Sequence, residues 1–304
     1  MSLRFIIGRA GTGKTWQCLT EIAERQKNNQ QGPLIYLVPE QATFHTEKEL
    51  LERCGMEGVM QAQVLSFKRL AWRVMQETGG GIHPVLNETG KTMILRRLLD
   101  KHAKDIRAFA RVMDRPGFLE NLGLCIAELK TYNVSPTKLE ECLELFEDGT
   151  GHDDFKAKLQ DLVLIYHEFE AYLAGQYLDS DDHLHLLAKN ISRAAFLEKA
   201  QVWLDGFHGF TPREYDVIRE LLLKAQALHL TLCLDAEHLN KKLVETDLFY
   251  PPWDTYQRIL RIAQEIQCPL RETLVLEPGA KHRFSRKNEL AFLEQGFLKN
   301  KRVY

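Results

Sequence analysis

Gly8-Arg9-Ala10-Gly11-Thr12-Gly13-Lys14-Thr15 fits the pattern G-x-x-x-x-G-K-[ST] of a phosphate-binding loop. Its flanks suit that reading. Leu3 to Ile7 reads as a short buried strand, and Trp16 to Gln26 as a helix. A glycine-rich turn between them lets bare backbone N–H groups face phosphate oxygens, and the helix N-terminus adds partial positive charge. Gly8, Gly11 and Gly13 would form the cradle. Lys14 would reach the outer phosphates of ATP, and the Thr15 hydroxyl would bind Mg²⁺. The alternative is a bare glycine turn, which would not need the lysine and hydroxyl to follow it.

The composition sets outer bounds. The 304 residues are 44% hydrophobic and 27% charged, ordinary for a globular chain, with a net charge of −2. No global basic field advertises nucleic acid, so a nucleic-acid site has to be a local patch. The tail is locally basic (Lys281, Arg283, Arg286, Lys287, Lys299, Lys301, Arg302), which a solvated face also explains. Six cysteines, at 18, 54, 125, 142, 233 and 268, include no C-x-x-C, so zinc or iron–sulfur ligation from them alone is not expected. Free thiols in a reducing cytoplasm are the expectation. The loop starts too early to leave room for a signal peptide, and no apolar run approaches the roughly 18–20 residues of a membrane span.

Strand and helix alternate at the start. Leu34 to Val38 is a second buried strand, Gln41 to Cys54 a helix, and Ala62 to Leu65 a third strand. Ser66 is placed to cap a helix from Phe67 to Glu77, and Gly79-Gly80-Gly81 then breaks the chain. From Asn87 to about Ala200 strand signals nearly vanish, and the spacing predicts helices over 87–103, 118–132, 136–146, 154–174 and 181–191. Gly90-Lys91-Thr92 in this region imitates a phosphate loop, but Val85 stands where the first glycine is required and the stretch lies inside a helix. Alternation resumes with the strand Val202 to Asp205, a helix from Pro212 to Lys224 capped by Thr211, and the strand Leu228 to Leu234. A helix from Tyr256 to Gln267, a strand from Thr273 to Leu276 and a helix from Asn288 to Leu298 follow. The expected fold is α/β, a RecA-like P-loop lobe with a parallel sheet built from 1–86 and 200–304, carrying an all-helical insertion over 87–199.

A phosphate loop needs a partner acid at a neighbouring strand end to hold Mg²⁺. Asp205 suits that role. In motor ATPases a glutamate that orients water follows the acid, but here Gly206 follows it, and losing a general base costs about 10²–10⁴-fold in rate. Asp235, after the strand Leu230 to Leu234, is either a γ-phosphate sensor or a simple strand-end cap, and the glutamine that would accompany a sensor is absent from Asp235-Ala236-Glu237-His238.

Beyond the loop, Leu37-Val38-Pro39-Glu40-Gln41-Ala42-Thr43-Phe44, Gln63-Val64-Leu65-Ser66-Phe67-Lys68-Arg69-Leu70-Ala71-Trp72-Arg73 and Leu204-Asp205-Gly206-Phe207 occur in order. With them the chain resembles the N-terminal region of the AddB family, subunits of the bacterial AddAB helicase–nuclease that processes double-strand breaks for recombination. The phosphate loop is generic, whereas the V-P-E-Q-x-T-F and S-F-x-R-L-A-W-R stretches are specific. The resemblance implies the first lobe of a superfamily-one helicase, in a subunit that keeps the loop but has lost catalytic motifs. It also implies a heterodimer with an AddA-type helicase–nuclease subunit, and a nuclease domain and an iron–sulfur cluster that belong to a C-terminal part outside these residues. ATP in such motors lies between two lobes, the second supplying an arginine, so weak ATP binding without efficient hydrolysis is expected.

The resemblance also implies that single-stranded DNA, and in it a short regulatory sequence of Chi type, is read by the segments after the second and third strands. Matched residue by residue, the DNA-binding positions are Gln41, Thr43, Phe67, Arg69 and Trp72, with Phe210 added from the Asp205 strand. Aromatic rings stack on bases, and arginine meets phosphate or a base plane. Phe67 and Trp72 stand five apart on one helix, a spacing that a core role also allows. Two other functions remain open at this level. One is an active P-loop ATPase or kinase, for which His208 is the nearby substitute base; the other is a non-catalytic scaffold for the partner subunit.

Overall fold

The computed structural model describes residues 1–28, 31–54, 61–79, 85–145, 153–179, 182–277, 283–284 and 288–296. Gly80 and Gly81 of the expected break, and Lys281, Arg286, Lys287, Lys299, Lys301 and Arg302 of the basic tail, lie outside these residues. The chain alternates β1 (Leu3–Gly8), α1 (Lys14–Lys27), β2 (Leu34–Leu37), α2 (Thr43–Cys54), β3 (Ala62–Leu65) and α3 (Phe67–Thr78). A helical stretch follows: β4 (Val85–Leu86), α4 (Glu88–Lys101), α5 (Phe118–Thr131), α6 (Pro136–Glu144), α7 (Asp153–Leu173), β5 (Leu178–Asp179) and α8 (His183–Ile191). Alternation then returns with β6 (Gln201–Leu204), α9 (Pro212–Lys224), β7 (Ala227–Cys233), α10 (Tyr250–Glu265), β8 (Leu274–Val275) and α11 (Asn288–Gly296).

Two compact units result. The first comprises 1–74, 187–210 and 214–304, and the second 75–186 with 211–213. The first is a six-stranded sheet in the order β3-β2-β6-β7-β1-β8, and every pairing is parallel. Parallel pairs cannot be joined by tight hairpins, so helices cross the faces and the inner strands read as unbroken apolar runs. Every residue of β2 and β6 is buried, as is every residue of β7 except Cys233. Leu37 pairs with Leu204, Leu204 with Leu230, and Gly8 with Cys233. This register brings the C-terminal ends of four strands to one edge, where open α/β sheets bind ligands.

Inside this unit lies a buried polar network. His229 in β7 is stacked on Trp203 in β6, with ring centroids 4.8 Å apart. Its Nδ1 accepts a hydrogen bond of 2.9 Å from Arg4 Nε, and Arg4 also pairs with Glu21. Nδ1 as acceptor requires the neutral ring. Burial, then the charge of Arg4, lowers the His229 pKa to about 3.

The second unit packs Leu95, Leu98, Leu99, Ile126, Ile165 and Phe169 around one core. The expectation that strands vanish there needs a small correction, since Val85–Leu86 and Leu178–Asp179 form a two-stranded parallel pair. Two-residue strands carry too short a periodicity to be read. Asp179 brings a carboxylate to Lys130 at 2.7 Å and to Lys91 at 3.3 Å. Both lysines are buried, and Glu170 and Asp182 also pair with Lys130. Lys91 of the false phosphate loop is thus a buried ion-pair residue within α4.

A pH dependence follows from His229. Its folded pKa lies below its unfolded value, so its contribution is complete above about pH 6.5 and is lost as the pH falls toward about 3, where the unfolded chain binds a proton that the folded one refuses. Between pH 6.5 and 5 the loss is about 2 kcal/mol. Urea unfolding at both pH values checks this: His229→Gln is expected to flatten the pH slope relative to the parent, and an unchanged slope would exclude His229 as its source.

Candidate functional site

Gly13 is the N-cap of α1, and Gln17 N–H donates to its carbonyl at 2.8 Å, so Lys14 and Thr15 open the helix. The first N–H groups of a helix have no partner within it. Gly8 is required by close approach: a Cβ there would lie 2.4 Å from Thr12 Oγ1 and 2.8 Å from the Leu276 carbonyl. Lys14 Nζ donates to the carbonyls of Gly8 at 2.7 Å and Arg9 at 2.8 Å. Burial lowers the Lys14 pKa from its ordinary value.

Asp205, immediately after β6, is 5% exposed and accepts three hydroxyl hydrogen bonds. Thr15 Oγ1 donates to Oδ2 at 2.6 Å, and the Tyr36 hydroxyl donates to the same oxygen at 2.7 Å. Thr231 Oγ1 donates to Oδ1. Tyr36 lies in β2 and Thr231 in β7, the strands on either side of β6, so the sheet itself aims the carboxylate at the loop after β1. Burial, then the charge on Asp205, pushes the Tyr36 phenol well above its ordinary pKa, which keeps it a donor. No motif in the sequence singles out Tyr36 or Thr231. A tyrosine inside an otherwise apolar buried strand is the available signal, because its hydroxyl needs a partner.

Lys14, Thr15, Asp205 and Gly206 line one cavity of about 550 Å³ with Gly11, Gly13, Trp16, His45, Glu49 and Arg283. That volume is within the range of small-ligand sites. Gly206 has φ +80°, a conformation that an L side chain adopts only under strain. A glutamate in the position after Asp205 is therefore opposed by the backbone itself. Asp235 caps the turn after β7, accepting from Glu237 N–H at 3.1 Å, and also pairs with Arg9 at 3.2 Å.

The six positions assigned to DNA separate into two groups. They follow β2, β3 and β6, three neighbouring strands, on one edge of the sheet. Gln41 and Arg69 are exposed, Trp72 is 63% exposed, and Phe210 is half-buried. Phe67 is only 6% exposed; its ring packs on Phe207 at 5.5 Å and Phe210 at 6.3 Å. Phe67, Leu70, Ala71 and Val74 form the buried stripe of α3, and Trp72 falls off it. Thr43 is also buried, and its hydroxyl donates to the Glu40 carbonyl at 2.9 Å. In this structure Phe67 and Thr43 serve packing and local hydrogen bonding, and neither side chain is displayed. Phe44, which is not among the six, is 79% exposed and lies three residues beyond Gln41.

Asp205→Ala is expected to destabilise the first unit, stranding two buried hydroxyls at about 1–3 kcal/mol each. Chemical denaturation measures this, and a stability equal to the parent's would refute the bracing role.

Known proteins resemble this chain along nearly its whole length. The sequence profile of the family described as "ADDB, N-terminal" matches residues 5–294. The chain is 45% identical over 299 residues to a subunit of the "ATP-dependent helicase/deoxyribonuclease" of Moorella thermoacetica, covering 98% of this chain and 26% of that protein. The protein of the same description in Desulforamulus reducens is 38% identical over 301 residues, covering 99% and 26%, and that in Heliobacterium modesticaldum 43% over 280 residues, covering 92% and 23%. The chain thus spans about a quarter of the length of these relatives. It belongs to the AddB N-terminal family.

Proposed function

We propose that the first unit is a RecA-like lobe that binds Mg–ATP without turning it over efficiently, within a helicase–nuclease subunit that acts on DNA ends in recombinational repair. The observation that carries this is the Thr15–Asp205 hydrogen bond at the mouth of the phosphate cavity, with Gly206 beside it. The residues fit the ligand. Lys14 and the opening N–H groups of α1 would hold the phosphates, and Thr15 with Asp205 would hold Mg²⁺. The ligand's role is to supply anionic charge that orders the loop. Lys14 would exchange two carbonyl acceptors for phosphate. The active ATPase or kinase reading lacks a base at Gly206, where φ +80° disfavours any replacement.

The relatives' description names an ATP-dependent helicase and deoxyribonuclease and calls each of them a subunit. From it we carry over a partner of AddA type and a DNA substrate. We assign single-stranded DNA, read for a Chi-type sequence, to Gln41, Arg69, Trp72 and Phe210 with Phe44 added; Phe67 and Thr43 support that surface from beneath. No helix among the described residues is long and apolar enough to cross a membrane, and we propose a cytoplasmic location.

Lys14→Ala is expected to weaken Mg–ATP binding by about 10–100-fold, the worth of a charge-assisted hydrogen bond. Titration with a fluorescent ATP analogue measures it, and unchanged affinity would remove the nucleotide reading. Gly206→Glu is expected to cost about 1–2 kcal/mol through its left-handed backbone and to leave ATP turnover unrestored; brisk hydrolysis by that variant would contradict the backbone argument. Trp72→Ala should weaken single-stranded DNA binding by about 1–3 kcal/mol at unchanged melting temperature, whereas Phe67→Ala should lower stability by about 3–5 kcal/mol. In the assembled complex, Chi-regulated cutting that survives Trp72→Ala and Gln41→Ala together would sink the DNA assignment.

A further inference from the structure

Arg9 sits inside the phosphate loop, yet its side chain faces away from the phosphate cavity. It lines a separate, apolar cavity of about 560 Å³ with Phe207, Phe249, Leu290 and Leu293. Its side chain is 16% exposed, and each guanidinium nitrogen donates a hydrogen bond. Nε donates to Glu294 Oε1 at 2.7 Å, Nη2 to the Glu294 carbonyl at 2.5 Å, and Nη1 to Asp235 Oδ2 at 3.2 Å. Its Cζ stands 5.7 Å from the centre of the Phe249 ring. A planar fork presents its N–H donors in fixed directions, so the Arg9 side chain holds Glu294 and Asp235 at once in a defined geometry. The backbone carbonyl of the same residue faces inward. It accepts from Lys14 Nζ at 2.8 Å and from Thr12 Oγ1 at 3.0 Å.

We propose that Arg9 is a positioning residue for nucleotide binding, which ties the phosphate loop through its side chain to Asp235 after β7 and to Glu294 on α11, and thereby makes α11 part of the site. The inference rests on the nucleotide reading above. Two effects combine. The side chain anchors the backbone turn whose carbonyl Lys14 must leave when a phosphate arrives. It also offsets one of the two negative charges that Asp235 and Glu294 place behind an anion-binding loop. These effects separate in Glu294→Gln, which removes a negative charge and loosens the anchor together. Charge neutralisation alone predicts equal or tighter Mg–ATP binding in that variant, and anchoring predicts weaker binding.

The test is hydrogen–deuterium exchange and titration with fluorescent ATP and Mg²⁺, on the intact protein and on Arg9→Gln, Arg9→Lys and Glu294→Gln. Without nucleotide, amides of residues 10–15 and 288–296 are expected to exchange about tenfold faster in Arg9→Gln and Glu294→Gln, with the β6 and β7 amides unchanged as the folding control. With nucleotide, Arg9→Gln should bind about tenfold more weakly, Glu294→Gln more weakly than the parent, and Arg9→Lys between the parent and Arg9→Gln. Unchanged loop exchange in both neutral variants overturns the proposal, as does Mg–ATP binding by Glu294→Gln at or above parental strength. If Arg9→Gln fails to fold, Glu294→Gln decides. A parent protein that binds no nucleotide removes the nucleotide reading, and the exchange of the free protein then decides by itself whether Arg9 positions the loop.

Discussion

The carboxylate of Asp205 organises the first unit. It is almost fully buried, and three hydroxyls from three separate segments satisfy it: Thr15 on the loop after β1, Tyr36 in β2 and Thr231 in β7. A buried carboxylate is tolerable only when its lone pairs are met. The strand order β2-β6-β7-β1 meets that demand, because it places a hydroxyl on each neighbouring strand and the loop one strand further on. The same bonds that satisfy Asp205 hold the Thr15 hydroxyl at the mouth of the cavity.

The electrostatics on the two sides of the loop differ in kind. On the cavity side the acceptors of Lys14 among the described residues are carbonyls, and burial weakens its hold on its proton, so an anion would improve its situation. On the far side burial opposes the charge on Arg9, but Glu294 and Asp235 outweigh it and raise its pKa. One cation is thus held in reserve while the other is committed to structure. The second unit repeats the committed arrangement at two lysines: Lys130 and Lys91 are buried among carboxylates and serve its core. A cation of that kind fixes geometry without offering a binding site.

Much of the candidate site was legible from the chain. The loop residues and Asp205 stand out because the G-x-x-x-x-G-K-[ST] pattern and an acid at a strand end restrict both residue type and spacing. Display on the surface was less legible. Phe67 and Trp72 belong to one specific motif, but the helical period separates them: Phe67 joins Leu70, Ala71 and Val74 in the interior, and Trp72 turns to solvent. Thr43 bonds its own backbone neighbourhood, as a threonine near a helix start commonly does. Phe44 is hard to recognise as a surface residue because a phenylalanine that is 79% exposed defies the expectation that large apolar residues go inside.

The local code determined the alternation of strand and helix, the capping of α3 by Ser66 and of α4 by Asn87, and the glycine-rich turn after β1, since each depends on residues a few positions apart. It also marked the glycine after Asp205, although not the reason for it. Only the tertiary structure decided which strands are neighbours, and hence that Tyr36 and Thr231 brace Asp205 and that Arg9 answers to Glu294. These partners lie 26 to 285 positions apart in the chain. Their pairing follows from the sheet order and the packing of α11, which no short-range pattern carries.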